Sequence, residues 1–209
     1  MKKGLAVAMA ALLGVATMGT TVMAAASGDI TICSREDGSG TRGAFIELFG
    51  IEEKDADGNK VDNTTEAAKI TNSTSVMLST VAQDENAIGY VSLGSLDDSV
   101  TAVKIDGAEA TAESIESGDY KVVRPFNIAT KDDVSEAAQD FITYIMSADG
   151  QQIIEDNGYI SVGDKPAYEA ADVEGKVVVA GSSSVTPVME KLAEGYKAVN
   201  DKVDIEVQQ

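Results

Sequence analysis

Twice in this chain an apolar, β-branched run passes through a loop of small residues straight into a helix. In the first unit Asp29 to Cys33 alternates as a strand. Ser34-Arg35-Glu36-Asp37-Gly38-Ser39-Gly40-Thr41 forms a glycine-rich loop, and Arg42 to Phe49 carries Phe45, Leu48 and Phe49 at helical spacing. In the second unit Lys176 to Ala180 reads as a buried strand. Gly181-Ser182-Ser183-Ser184 is the loop, and Thr186 to Val199 is a helix with Pro187 in its first turn. Strand–loop–helix units that recur with further strands and helices between them predict α/β architecture. They also predict a chemistry. A helix start leaves backbone N–H groups without partners and gathers partial positive charge. Glycines let a ligand approach the backbone, hydroxyls add donors, and Arg35 adds a planar bidentate cation, so each loop has the make-up of an oxyanion cradle. Asp37, two residues beyond Arg35, is placed to orient it.

The loops fit none of the common catalytic signatures. No Lys-Ser or Lys-Thr follows the last glycine, so the first is not a nucleotide P-loop. G-x-S-x-G is absent. The chain contains no histidine and one cysteine, Cys33. Imidazole-based triads, His-ligated metals and intrachain disulfides are therefore excluded. Asp55-x-Asp57-x-Asn59 superficially resembles a calcium loop. Its glycine stands at the fourth place rather than the sixth, so it reads as a solvated turn, and no metal or other cofactor is expected. Thirty-five acidic residues against 16 basic give a formal charge of −19 over 209 residues, which speaks against a nucleic-acid partner.

Between the two units, Lys54 to Asn63 predicts a polar hairpin and Ser75 to Val81 a helix capped by Ser73 or Thr74. Ala87 to Leu93, Val100 to Ile105 and Val122 to Ala129 predict strands, the last bent at Pro125. Thr111 to Glu116 predicts a short helix. Ser135 to Met146 predicts an amphipathic helix with Ala138, Phe141, Ile142 and Ile145 on its apolar face, followed by a second helix from Ala148 to Asp156. Val203 to Val207 predicts a final strand. Tyr90, Tyr120, Tyr144 and Tyr159 are expected in core or rim positions. At the N-terminus Lys2 and Lys3 precede an apolar stretch and Met23-Ala24-Ala25-Ala26, the pattern of a secretory signal peptide. No cysteine stands at the expected cleavage point, so no lipid attachment is expected. The exported chain would carry Cys33 as a buried free thiol.

Ser34 to Arg42, Asn86 to Gly94, Arg124 to Thr130, Phe141 to Ile160 and Val177 to Glu190, taken together, resemble the phosphate-binding proteins of bacterial ABC phosphate importers. The resemblance covers nearly all of residues 28–209. It implies a two-lobed α/β fold of the type II periplasmic-binding-protein kind. It also implies capture of inorganic phosphate outside the membrane, delivery to permease subunits, and no enzymatic activity. Carried over position by position, it implies that Arg35 pairs with phosphate while Asp37 orients Arg35. Ser39, Gly40 and Thr41 give N–H or hydroxyl donors, and so do Ser183 and Ser184, with Ser182 beside them.

Most members of this family open with the segment that closes this chain, so the order here is permuted. Members are also longer, and a Ser and a proton-accepting Asp of their sites have no counterpart here. Both lobes are accordingly expected to be incomplete. Residues 1–26 would be the signal peptide and 27–118 the lobe bearing the first loop. Residues 119–165 would belong to the second lobe, 166–175 to a linker, and 176–209 to the start of the second-lobe sheet. Two other readings follow from the same residues. One is a non-binding surface or interaction fragment. The other, a phosphatase with Ser39 or Thr41 as nucleophile, lacks any evident general base.

Overall fold

The computed structural model describes residues 28–209. The expected signal peptide lies outside the described residues. The first strand–loop–helix unit forms as β1 (Thr31–Arg35) and α1 (Gly40–Leu48), with Ser39 as the N-cap whose hydroxyl accepts from the Arg42 amide. A polar hairpin follows, β2 (Glu52–Lys54) paired antiparallel with β3 (Lys60–Asp62). Its turn is held by the Asp55 carboxylate, which accepts from the amides of Asp57 and Asn59, an Asx-type turn rather than a cation loop. Then come β4 (Lys69–Thr71), α2 (Thr74–Ala82), capped by Ser73, and β5 (Ala87–Ile88). Strands β4 and β5 flank β1, both parallel to it, in a three-stranded sheet of order β4-β1-β5.

Residues 89–134 contain one short helix, α3 (Ala112–Glu116), and a single 3₁₀ turn at Leu93–Ser95. Here the structure departs from the sequence expectation. Val100 to Ile105 is not a strand beyond one isolated bridge, Ile105 to Ala108, and Val122 to Ala129 is not a strand. Both runs have β composition, but Val103, Val123, Phe126 and Ile128 remain exposed and no neighbouring strand offers a ladder. Composition without a partner does not make a strand. The predicted strand Ala87 to Leu93 shortens to two residues for the same reason.

The rest of the chain builds a second assembly from α4 (Glu136–Ile145), α5 (Ala148–Asp156), β6 (Gly175–Ala180), α6 (Thr186–Val199) and β7 (Val203–Gln208). Strands β6 and β7 pair parallel over six residues, joined by α6 as the crossover. Phe141, Tyr144, Ile145, Val177, Val188, Leu192, Tyr196 and Val203 form its buried core. The buried face of α4 is rotated from the expected one. It consists of Ala137, Asp140, Phe141, Tyr144 and Ile145, because Asp140 accepts from the hydroxyls of Tyr168 and Tyr196 and the Tyr144 ring packs edge-on against both of those rings. On α1 the buried apolar residue is Ile46, while Leu48 and Phe49 are exposed and Phe45 stacks on Tyr90 at 4.0 Å between centroids. Cys33 is buried, and burial pushes its thiol upward from the ordinary value.

Candidate functional site

Arg35 is the last residue of β1, so its side chain leaves the sheet at the carboxyl end, where ligands of open α/β sheets bind. It is 1% exposed. A guanidinium this deep needs partners on its donors, and it has them. Nε and Nη2 donate to the two carboxylate oxygens of Glu36, each at 2.9 Å, a bidentate pair. Nη2 also donates to Ser183 Oγ at 2.8 Å, across 148 residues of sequence, and Nη1 reaches Thr74 Oγ1 at 3.5 Å. Thr74 in turn donates to Ser183 Oγ at 3.2 Å. The hydrogen bonds from Arg35 hold the Glu36 carboxyl below the usual range of glutamate.

The second link between the loops lies one residue further along each. The hydroxyls of Thr41 and Ser184 hydrogen-bond directly. Gly40, the first residue of α1, makes this approach possible. A Cβ there would stand 3.2 Å from the Cβ of Ser182 and 3.5 Å from its hydroxyl, so a larger residue would require Ser182 to give way by a few tenths of an ångström. Gly38 has φ +84°, which the tight turn between Asp37 and Ser39 requires. The starts of three helices thus meet around one buried arginine: α1 after Ser39, α2 at Thr74 and α6 after Ser184. First-turn amides have no partner within their own helix, so this is a place where donors and positive potential converge.

The sequence-expected residues fall as follows. Arg35, Gly40, Thr41, Ser182, Ser183 and Ser184 are brought together. Ser39 sits at the same place, but its hydroxyl caps α1 and its amide donates to the Glu36 carbonyl at 3.2 Å. Asp37 does not orient Arg35. Its carboxylate bonds Arg42 Nη1 at 2.5 Å, and Glu36 holds Arg35 instead. The tight turn at Gly38 aims Asp37 toward solvent and the side of α1, where Arg42 stands in the first turn and also reaches Asp62 at 2.7 Å.

Besides Glu36, four residues escaped the sequence reading. Thr74 was seen only as a helix cap. Tyr90 donates or accepts at Ser34 Oγ at 2.8 Å and accepts from the Arg35 amide at 3.1 Å, which fixes the end of β1. Tyr159 donates to the Ser184 carbonyl at 2.8 Å. Arg124 donates to the Gly40 carbonyl at 3.1 Å. Thr74 shows in the sequence as a helix cap, Tyr90 and Tyr159 as core or rim aromatics and Arg124 as the head of the Arg124 to Thr130 segment, but nothing local announces these contacts. An open groove on the outer side of α2, lined by Lys69, Ser75, Val76, Asp84 and Asn86, lies apart from this cluster, and its one cation is 4.0 Å from Asp84.

The sequence profile of the PBP superfamily domain matches residues 18–149. A 218-residue alignment with the phosphate-binding protein PstS 2 of Streptococcus agalactiae serotype V is 56% identical and takes in 100% of this chain and 74% of that protein. Running through both loops, it shows that this relative carries the segments in the order found here. The crystal structure of a phosphate-binding protein of a phosphate ABC transporter from Streptococcus pneumoniae superposes with a TM-score of 0.71 at 48% identity. It covers 87% of this chain and 71% of that one. A putative phosphate ABC transporter substrate-binding protein from Clostridium perfringens, solved with bound phosphate, gives 0.56 at 41% identity, over 64% of this chain and 52% of that one. The chain belongs to the PstS-like phosphate-binding proteins of the PBP superfamily.

Proposed function

We propose that this chain captures inorganic phosphate outside the cytoplasm and presents it to the membrane permease of an ABC importer. The observation that carries this reading is the Arg35–Ser183–Thr74 cluster, where donors from three helix starts converge on one buried guanidinium. Phosphate accepts hydrogen bonds on every oxygen, and such a cluster offers donors without needing a metal. In this reading Arg35 and the hydroxyls of Thr41, Ser183 and Ser184 hold the anion together with the amides of Gly40 and Thr41. Ser39 and Ser182 shape the loops, and Glu36 fixes the arginine fork. The relatives' names support binding rather than catalysis, and the cluster contains no imidazole to activate a hydroxyl. Residues 27–118 and 119–209 would serve as two lobes that meet at the anion.

Calorimetric titration of the chain with phosphate, and with sulfate in competition, tests this. Phosphate should bind with measurable heat, and Ser183→Ala should weaken binding at least several-fold, since a hydrogen bond to a charged group contributes about 1.5–3 kcal/mol. p-Nitrophenyl phosphate should not be hydrolysed. Absence of phosphate binding by the folded chain would overturn the reading.

A further inference from the structure

The sequence contains three arginines, and the fold brings all three to the start of α1. Two of them are electrically spent. Arg35 is matched by both oxygens of Glu36, and Arg42 is matched by Asp37 and Asp62. Seen from solvent, each such pair is close to a dipole, whose field falls off faster than that of a charge. Arg124 differs. It is exposed, its Nη1 donates to a neutral acceptor, the Gly40 carbonyl, and no carboxylate among the described residues lies within ion-pairing distance of it. The residue after it is Pro125, which holds Arg124 in the extended region of backbone space and presets the direction of its side chain.

We infer that Arg124 is a further anion-binding residue, and that it supplies the uncompensated positive charge which draws the ligand to the loop. The inference rests on the phosphate-receptor reading. A chain of formal charge −19 repels a dianion at long range, so the attraction has to be local. The helix starts provide partial charges and Arg35 provides directed donors. Arg124 alone provides a full charge at the same helix terminus. Its hydrogen bond to Gly40 ties that charge within one residue of the amides at the head of α1. The residue thereby joins the segment that follows α3 to the loop that follows β1.

The test is calorimetric titration with inorganic phosphate of the wild-type chain, Arg124→Gln, Arg124→Lys and, as a remote charge control, Lys191→Gln on α6. Each is measured at low salt and near 1 M salt, with a thermal melt of each variant. Glutamine keeps a polar N–H donor on a shorter stem and removes the charge, whereas lysine keeps the charge. Arg124→Gln should weaken phosphate binding about tenfold at low salt, the size expected for one charge-assisted contact. The gap should close to within about threefold at 1 M salt, where charges are screened beyond about 3 Å. Arg124→Lys should stay within about threefold of wild type, and Lys191→Gln should match it. If wild type binds and Arg124→Gln binds equally well at low salt, the inference is wrong. It is also wrong if Gln and Lys weaken binding equally and independently of salt, because the residue would then act only as a strut. If wild type itself takes no phosphate, the receptor reading fails first and takes this inference with it.

Discussion

The two halves of the molecule spend their interiors differently. Around β6, β7, α4, α5 and α6 the buried residues form one continuous apolar cluster centred on Phe141, Leu192 and Tyr196. Around β1, β4, β5, α1 and α2 only Cys33, Ile46 and Met77 are buried and apolar, while Ser34, Arg35, Thr71 and Thr74 are buried and polar. Ile32 and Ile88, paired in register on β1 and β5, are both exposed. The assembly around β6 and β7 is held by packing. The assembly around β1 is held largely by hydrogen bonds that converge on the candidate site. A polar interior costs stability unless every donor is matched. Here the matching is done partly by the other half, through Ser183 and Ser184. The part of the fold that would recognise the anion therefore leans on the part that is well packed.

Core truncation is the strongest way to break this comparison. Phe141→Ala should cost about 3–5 kcal/mol, the range for removing a buried phenyl ring from a close-packed core. Met77→Ala, equally buried but among fewer apolar neighbours, should cost about 2–3 kcal/mol, the low end for its type. Urea denaturation followed by circular dichroism measures both. A larger loss for Met77→Ala would show that the first half has a core of its own and that the contrast is false.

Next in size is a buried carboxyl inside the packed half. The carboxyl of Asp140, on α4, accepts hydrogen bonds from Tyr196 and Tyr168, each at 2.6 Å. Tyr168 lies in the segment between α5 and β6, so this contact straps that segment to the core. Asn in place of Asp keeps one acceptor oxygen and puts an N–H₂ against a tyrosine hydroxyl. Asp140→Asn should cost about 1–3 kcal/mol, the penalty for a buried polar group left badly matched. Phosphate affinity should stay within about twofold of wild type, because the cluster is remote from Arg35. A large loss of affinity would mean that the strap also positions the second loop.

How much of this was legible beforehand follows from which interactions are local. The helices were readable because caps and spacing are written within a few residues: Ser39, Ser73, Thr111, Ser135 and Ser147 all cap where their side chains allow. The two loops were readable for the same reason. Strands at 100–105 and 122–129 were misread because a ladder needs a partner, and partners are set by topology rather than by the run itself. The rotated face of α4 could not be read, since nothing in Ser135 to Met146 announces that Asp140 will meet tyrosines 28 and 56 residues away. Glu36 replacing Asp37 beside Arg35 turned on the direction of one tight turn. Thr74, Tyr90, Tyr159 and Arg124 join the candidate site only through contacts spanning 25 to 109 residues.

The smallest effects separate the halves by pH. Burial, together with the bond to Asp140, pushes the Tyr168 hydroxyl up to about 12, and the same causes raise Tyr196. A group whose folded value is raised stabilises the fold fully below its unfolded value, near 10 for tyrosine, and loses that contribution as pH climbs through the folded value. The packed half should therefore weaken between about pH 10 and 12, and Tyr168→Phe should flatten that limb of a melting-temperature profile. Glu36 moves in the opposite direction. The bonds from Arg35 lower its folded value, so its contribution is present above the ordinary glutamate value of about 4.3 and fades as pH falls through the lowered one. Glu36 is half-exposed and screened, so the acid limb should be shallow, with Glu36→Gln removing part of it. If Tyr168→Phe changed the acid limb or Glu36→Gln the alkaline one, the two polar clusters would be coupled through the loops. The shared hydroxyls of Ser183 and Thr74 would then be the first place to look for the connection.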